Sequence, residues 1–226
     1  MKAWLDKLTE TFLTSGYYKL MLEGLGNTVI ITLGALVIGV VIGALIATVK
    51  YLAEDNRTLA PAAWLCDAYV KIIRGIPVVV LLLIFYFVIF TTSEGAEVAV
   101  LTFGVNSGAY MAELIRGGIH AVDQGQMEAG RSLGLSRLQT MERIIFPQAL
   151  RHILPAIGNE FIALIKETSV AGYVAVVDVT RAGNLVRNNT YDAVNSLMLV
   201  ALTYLTLVLA LTAVLERFEK KLNKGR

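Results

Sequence analysis

The chain is poor in the residues that build most reactive centres. One cysteine, Cys66, and two histidines, His120 and His152, stand among 226 residues. A lone cysteine excludes an internal disulfide framework. The histidines are far apart and have no cysteine at ligand spacing, so no metal site is expected. Charged residues make up only 17% of the chain, against about 25% in an ordinary soluble domain. The formal net charge of +2 gives no reason to expect a nucleic-acid partner. Neither the phosphate loop G-x-x-x-x-G-K-[ST] nor the zinc motif H-E-x-x-H occurs. No catalytic residue and no cofactor on this chain are therefore expected.

Uncharged apolar sequence is what the chain has in excess: 56% of its residues are hydrophobic. The excess sits in runs. Gly24 to Val49, Gly75 to Ser93 and Ala193 to Leu215 carry no charge at all. A helix that crosses the hydrocarbon of a bilayer needs roughly 20 such residues. A run from Val98 to Ile119 carries Glu113 and Arg116 near its far end, and another, after Pro155, carries Glu160, Lys166 and Glu167. The pattern predicts an all-α integral membrane protein of one domain, 1–226, with about five transmembrane helices at 24–50, 72–93, 98–119, 153–177 and 193–218. Trp4, Leu5, Leu8 and Phe12 recur at helical spacing before Ser15-Gly16, which predicts an interfacial helix over 1–18 rather than a cleaved signal. Lysine and arginine crowd the flanks on one side (Lys50, Arg57, Lys71, Arg74, Arg131, Arg137, Lys220, Lys221) and are sparse on the other (Lys19, Arg181, Arg187). The positive-inside rule then puts the N-terminus outside and the C-terminus in the cytoplasm.

Within the first run, Gly39 and Gly43 form a small-xxx-small pair, a device for close helix packing in lipid. The stretch 123–146, between the third and fourth spans, is too polar to cross. Asp123 with Gln126 is a cap signature, and Glu128 suits the positive end of a helix dipole. Gly134 can take the left-handed conformation that closes a helix. Ser136 with Gln139 repeats the cap signature and starts a second helix, which Pro147 ends or kinks. A short helix, a glycine turn and a second short helix are expected on the cytoplasmic face. Met127, Leu133, Leu135, Leu138 and Met141 supply an apolar side fit for docking into a groove of another protein.

Glu128-Ala129-Gly130, three residues, Gly134, nine residues, then Ile144-x-Phe146-Pro147 resembles the EAA loop of ABC-importer permeases, E-A-A-x3-G-x9-I-x-L-P. Gly130 stands where the pattern has alanine, at a helix penalty of about 1 kcal/mol, and Phe146 stands for leucine. Arg74-Gly75-Ile76-Pro77, the stretch Ser107 to Ile119 and the stretch Leu154 to Ser169 are similar to segments of the polar amino-acid permeases, which import histidine, arginine, lysine, glutamine, glutamate or cystine. Ile76 and Leu81 replace polar residues usual there, so no substrate role is placed on the second span.

The resemblance implies partners. They are a pair of ATP-binding subunits carrying ATP and Mg, an extracytoplasmic solute-binding protein, and a second permease copy or a sister permease. The setting is the bacterial inner membrane. It also implies that the elbow is a coupling helix, with Glu128, Ala129, Gly130, Gly134 and Pro147 as coupling residues. Ionisable residues inside a span face a cavity or a partner. Glu160 and Glu167 are two helical turns apart, on nearly one face and about 10.5 Å apart along the axis. With Asn159, Thr168 and Ser169 nearby, they are candidates to line the substrate path and to meet the ammonium of a polar, preferably basic, amino acid. The alternative substrates are glutamine, glutamate or cystine. An ion-coupled secondary transporter is the more distant rival, and it would show internal repeats. Glu113 with Arg116 is read as a structural pair, His120 and His152 as solvated, and Cys66 as inert.

Overall fold

The computed structural model describes residues 16–54 and 56–223, and most of the expected interfacial helix lies outside them. Among the described residues every regular element is helical. The helices are α1 (Tyr17–Ala53), α2 (Ala60–Gly75), α3 (Val78–Ile84), α4 (Gly95–His120), α5 (Gly125–Ser132), α6 (Arg137–Thr140), α7 (Phe146–Glu167), α8 (Val179–Thr190) and α9 (Ala193–Asn223). Tyr17 and Tyr18, assigned from sequence to the interfacial helix, form the first turn of α1, and Gly16 precedes it at φ +76°. Among the described residues three helices are long and apolar enough to cross a membrane: α1, α4 and α9. The pair over 57–75 and 78–89 makes a fourth if it counts as one broken span. In place of one continuous helix over 72–93, the chain breaks at Ile76 and Pro77. Pro77 donates no hydrogen bond and drives Ile76 to an extended conformation, φ −106° and ψ 130°. α7 is long but amphipathic and carries its charges within.

The residues pack as two units. Of the described residues, one comprises 16–36, Pro77–Gly104 and Ile162–Leu211. Its core is Ile31, Ala35, Leu82, Ala99, Phe103 and Leu164, with a second cluster of Met21, Val179, Ala182, Val186 and Val200. Here α1 carries a polar stripe that holds the segment before α8. Asn27 Nδ2 donates to Val177 O at 2.9 Å, and the N–H of Val179 donates to Thr28 Oγ1 at 3.4 Å. Gly24 lets the chains approach: a Cβ there would lie 2.7 Å from Asp178 O.

The other unit comprises Val37–Ile76, Val105–Phe161 and Thr212–Arg226. Its clusters are Ala47, Ile115, Val122, Ile145, Ala149 and Ile153, and Ile46, Val70, Ala109 and Ala112. The small residues of α1 meet α4 here. A Cβ on Gly39 would come 2.8 Å from Ser107 Oγ, and one on Gly43 within 2.8 Å of Ala112 N. The small-xxx-small pair therefore packs helix on helix, with dispersion between close backbones as the attraction. Tyr69 Oη donates to Val105 O at 2.5 Å and ties α2 to α4. Cys66 sits half-buried in α2 against the Ile46 and Val70 cluster.

Candidate functional site

Residues 123–147 form an elbow whose geometry comes almost wholly from local chemistry. Asp123 Oδ1 accepts the N–H of Gly125 at 2.7 Å, so the cap falls one residue before the helical backbone begins at Gln124. α5 closes through paired bonds. The N–H of Leu135 reaches Gly130 O at 3.2 Å and that of Gly134 reaches Arg131 O at 3.0 Å, the Schellman arrangement. Gly134 has φ +84°, and nothing lies within 4 Å of where its Cβ would be. Glycine is needed there for backbone conformation, not for space. Arg131 Nη1 adds a bond to Leu135 O at 2.9 Å. α6 then opens with a complete capping box: the N–H of Gln139 donates to Ser136 Oγ at 3.2 Å, and the N–H of Ser136 to Gln139 Oε1 at 2.8 Å.

Pro147 does not end the helix. The backbone widens over Met141–Ile145, the N–H of Phe146 donates to Met141 O, and Pro147 falls in the first turn of α7, where its missing N–H is no loss. Gly130 is buried, and a Cβ on it would lie 2.8 Å from Thr140 Oγ1. The departure from alanine thus lets α5 and α6 close on each other. Thr140 is the partner that sequence reasoning missed.

The elbow shows only part of the expected apolar side. Leu133 is 80% exposed and Leu138 63%, flanking the turn. Met127 and Met141 turn inward onto the Ala47, Ile115 and Val122 cluster. Glu128 and Ala129 are exposed. The elbow is bolted to the end of α1: Arg137 Nη2 meets Glu54 Oε2 at 2.5 Å, and its guanidinium lies 5.0 Å above the Tyr51 ring. Beside it, Lys50 Nζ pairs with Asp67 at 2.6 Å and with Glu113 at 3.7 Å, while Glu113 holds Arg116 at 2.7 Å. The Glu113 and Arg116 pair is therefore part of a four-residue network. Arg74 lies 4.9 Å over the Tyr110 ring.

The candidate substrate residues are all on or just beyond α7. Glu160 is half-buried, and its Oε1 accepts from Ser107 Oγ at 3.2 Å. Ser107 was not among the sequence candidates; 53 residues separate it from Glu160 and no local pattern marks it. Asn159 is exposed and donates to Pro155 O at 3.1 Å within its own helix. Glu167 ends α7, and a 3-10 turn, Thr168–Val174, comes next. The buried Thr168 hydroxyl is engaged with Ile165 O at 2.7 Å. Ser169 lines a polar cavity of about 550 Å³ together with Arg181, Asn184 and Asn188. Asp178 caps α8, its Oδ1 accepting from Arg181 N at 3.1 Å and its Oδ2 from Thr180 N at 2.9 Å and from Tyr204 Oη at 3.3 Å. Asp178 is fully buried, and burial pushes its carboxyl above the usual carboxylate range despite the bonds from Thr180 and Arg181. His120 and His152 are exposed.

Comparison with known proteins agrees with this geometry. Residues 39–224 match the family described as binding-protein-dependent transport system inner membrane component. The chain is 33% identical over 211 residues to the Probable glutamine ABC transporter permease protein GlnM of Bacillus subtilis, covering 92% of this chain and 95% of that one. It is 35% identical to the Arginine transport system permease protein ArtQ of the same organism, over 91% and 93% of the two chains. A crystal structure of an amino acid ABC transporter with histidines superposes at a TM-score of 0.85, with 34% identity over 92% of this chain and 96% of that one. The chain belongs to the family of binding-protein-dependent transport system inner membrane components, as a multi-pass ABC-importer permease subunit that carries out no chemistry of its own.

Proposed function

We propose that the chain forms the membrane path of an importer for polar amino acids, basic ones favoured, driven by a pair of ATP-binding subunits that hold ATP and Mg. An extracytoplasmic binding protein delivers substrate, and a second permease copy or a sister permease completes the path. The N-terminus lies outside and the C-terminus in the cytoplasm, with the Lys and Arg distribution as support. α7 supplies the fourth span, its charges facing the path rather than lipid.

The observation that carries this reading is the elbow. It is capped at both helices, closed by a left-handed glycine and fastened to α1 through Arg137 and Glu54. Such a body moves as one piece. Exposed Leu133 and Leu138 present the apolar knob that an ATPase cleft would grip, with Glu128, Ala129, Gly130, Gly134 and Pro147 fixing its shape. Closure of the ATPases then becomes a displacement of α1 and α4, and the path exchanges inward for outward access. Substrate need only bind the two states differently.

Glu160, half-buried and oriented by Ser107, supplies an anion for a substrate ammonium. Glu167, Asn159, Thr168 and Ser169 make up the rest of the proposed path. The glutamine and arginine relatives support the polar class. The glutamine name favours a second reading, an uncharged polar substrate. Uptake by the reconstituted importer, in the presence of its binding protein, tests both. Glu160→Gln is expected to weaken arginine uptake about tenfold, the scale of one lost charge-assisted bond, and to spare glutamine. Equal uptake of arginine by the variant and the native chain would take Glu160 out of the path.

A further inference from the structure

We infer that a second small-molecule site, for a compact zwitterion, lies between the end of α1 and the elbow. A cavity of about 420 Å³ opens there, wholly within the second packing unit and apart from Glu160. Its walls carry charges of both signs. Lys50, Arg116 and Arg137 are on it, and so are Glu54 and Asp123. A bare anion would meet the two carboxylates, and a bare cation would meet the three bases. Lys50, Arg116, Arg137 and Glu54 already pair with one another or with Asp67 and Glu113, and a molecule with an ammonium and an anionic group a few ångströms apart exchanges partners with them without leaving either sign unmatched. Met127 and Met141 add a polarisable apolar wall for the rest of the ligand.

Two further observations bear on the site. Tyr51 lies in the wall, and its hydroxyl is sealed from solvent with no hydrogen-bond partner. Buried polar atoms without partners are rare, and each leaves a bond to be made when neighbours shift. The walls also come from separate elements, α1, α4 and the elbow, so an occupant adds a bridge between elements that the Arg137 and Glu54 pair already joins. Anything that binds this arrangement stabilises it by mass action.

The chemistry has two sources: a free amino acid, or the phosphoethanolamine headgroup of a phospholipid. The inference does not require that amino acids be the transported substrate. The test uses the assembled importer in nanodiscs of phosphatidylglycerol alone, titrated separately with glutamine and with phosphoethanolamine while binding and the unfolding midpoint are measured. Four chains are compared: native, Glu54→Gln, Glu54→Gln with Asp123→Asn, and Glu160→Gln. The amide replacements keep shape and remove the negative charge that would hold the ammonium; at Glu54 they also weaken the pairing with Arg137, so the unfolding midpoint of each variant without probe is measured as its own reference.

Saturable binding of either probe to the native chain and to Glu160→Gln is expected, and the probe that binds identifies the source. Glu54→Gln should weaken it about tenfold, as one charge-assisted hydrogen bond is lost, and the double variant further. Absence of saturable binding by both probes at millimolar concentration overturns the inference. So does binding that the amide variants leave unchanged. Glutamine binding that Glu54→Gln and the double variant leave at native strength would place the ligand in the transport path, overturning this inference while leaving the proposed function intact.

Discussion

Two turns in this molecule solve one problem by opposite means. The elbow between α5 and α6 and the segment between α7 and α8 both reverse a helix through a left-handed residue. In the elbow that residue is Gly134, at φ +84°. Beyond α7 it is Ala175, at φ 64°, and α8 ends on another non-glycine, Tyr191, at φ 53°. A side chain in that region costs roughly 1–2 kcal/mol. The elbow avoids the cost and holds its shape with bonds between near neighbours. The other turn bears the cost and is held from a distance: Asn27 and Thr28 of α1 reach Val177 and Val179, and Arg181 Nη1 returns to Gly172 O at 2.8 Å. A body that must travel intact needs internal bonds. A segment fixed to its surroundings can borrow them.

The largest expected effect breaks the elbow. Gly134→Val forces a β-branched residue into the left-handed region, at roughly 1–2 kcal/mol or more. Valine has open space there, so the chain should still insert. Uptake should fall by at least about tenfold while the partner ATPase keeps turning over, since 1.4 kcal/mol is a factor of ten. Normal coupling of ATP turnover to uptake in this variant would remove the lever role.

The corresponding blow to the other turn is Asp178→Ala. It strips the cap from α8 and leaves the N–H groups of Thr180 and Arg181 and the Tyr204 hydroxyl without that acceptor. A loss of about 2 kcal/mol is expected, at the upper end for a cap because the site is buried. Denaturant or thermal unfolding in detergent would measure it. Asp178→Asn keeps an acceptor and should cost less. It should also change the pH dependence. Burial raises the native pKa of Asp178 above its unfolded value, so the native fold binds the proton more tightly. Its contribution to stability is full below the unfolded pKa and is lost as pH rises through the native one. In Asp178→Asn that decline should vanish. An unchanged pH profile would mean that Asp178 is not the group responsible.

This contrast also sets how much the sequence could tell. The Schellman closure at Gly134 and the capping box at Ser136 are written in residues three to five apart, and the structure contains both. The left-handed Ala175 has no local signal, because alanine is an ordinary helix former. The segment just after it is held by residues about 150 positions away in the chain. Pro77 marked a break in principle, yet the apolar run on either side hid it in a reading by hydropathy alone. Ser107 was invisible as a partner of Glu160 for the same reason: 53 residues separate them. The inward turn of Met127 and Met141 could be read neither from composition nor from spacing. Helical periodicity names a face, and tertiary packing decides what that face meets.

A milder substitution sharpens the comparison. Ala175→Gly should stabilise by up to about 1 kcal/mol by relieving the left-handed strain, less whatever glycine adds to the entropy of the unfolded chain. If Ala175→Gly instead destabilises, the turn beyond α7 is held by packing of the alanine methyl, and the strain argument fails for it.

The smallest effect concerns Gly130, where the elbow looks weakest by propensity. Alanine would favour α5 by about 1 kcal/mol. Its methyl would also press on Thr140, where overpacking costs typically 1–3 kcal/mol. The two nearly cancel, and Gly130→Ala alone is expected to be neutral or destabilising by about 1 kcal/mol. The informative chain is the double variant. With Thr140→Ala the obstruction goes and the helix gain remains, so Gly130→Ala should be more favourable in that background by at least about 1 kcal/mol, the coupling expected of side chains in contact. Thr140 also donates to Ser136 O at 3.0 Å, and its removal has its own cost in both backgrounds, which the cycle subtracts. Additive effects would mean that α5 and α6 do not close on each other at Gly130. The elbow would then be two helices joined by a turn rather than one body, and the mechanical argument for it would lose its packing half.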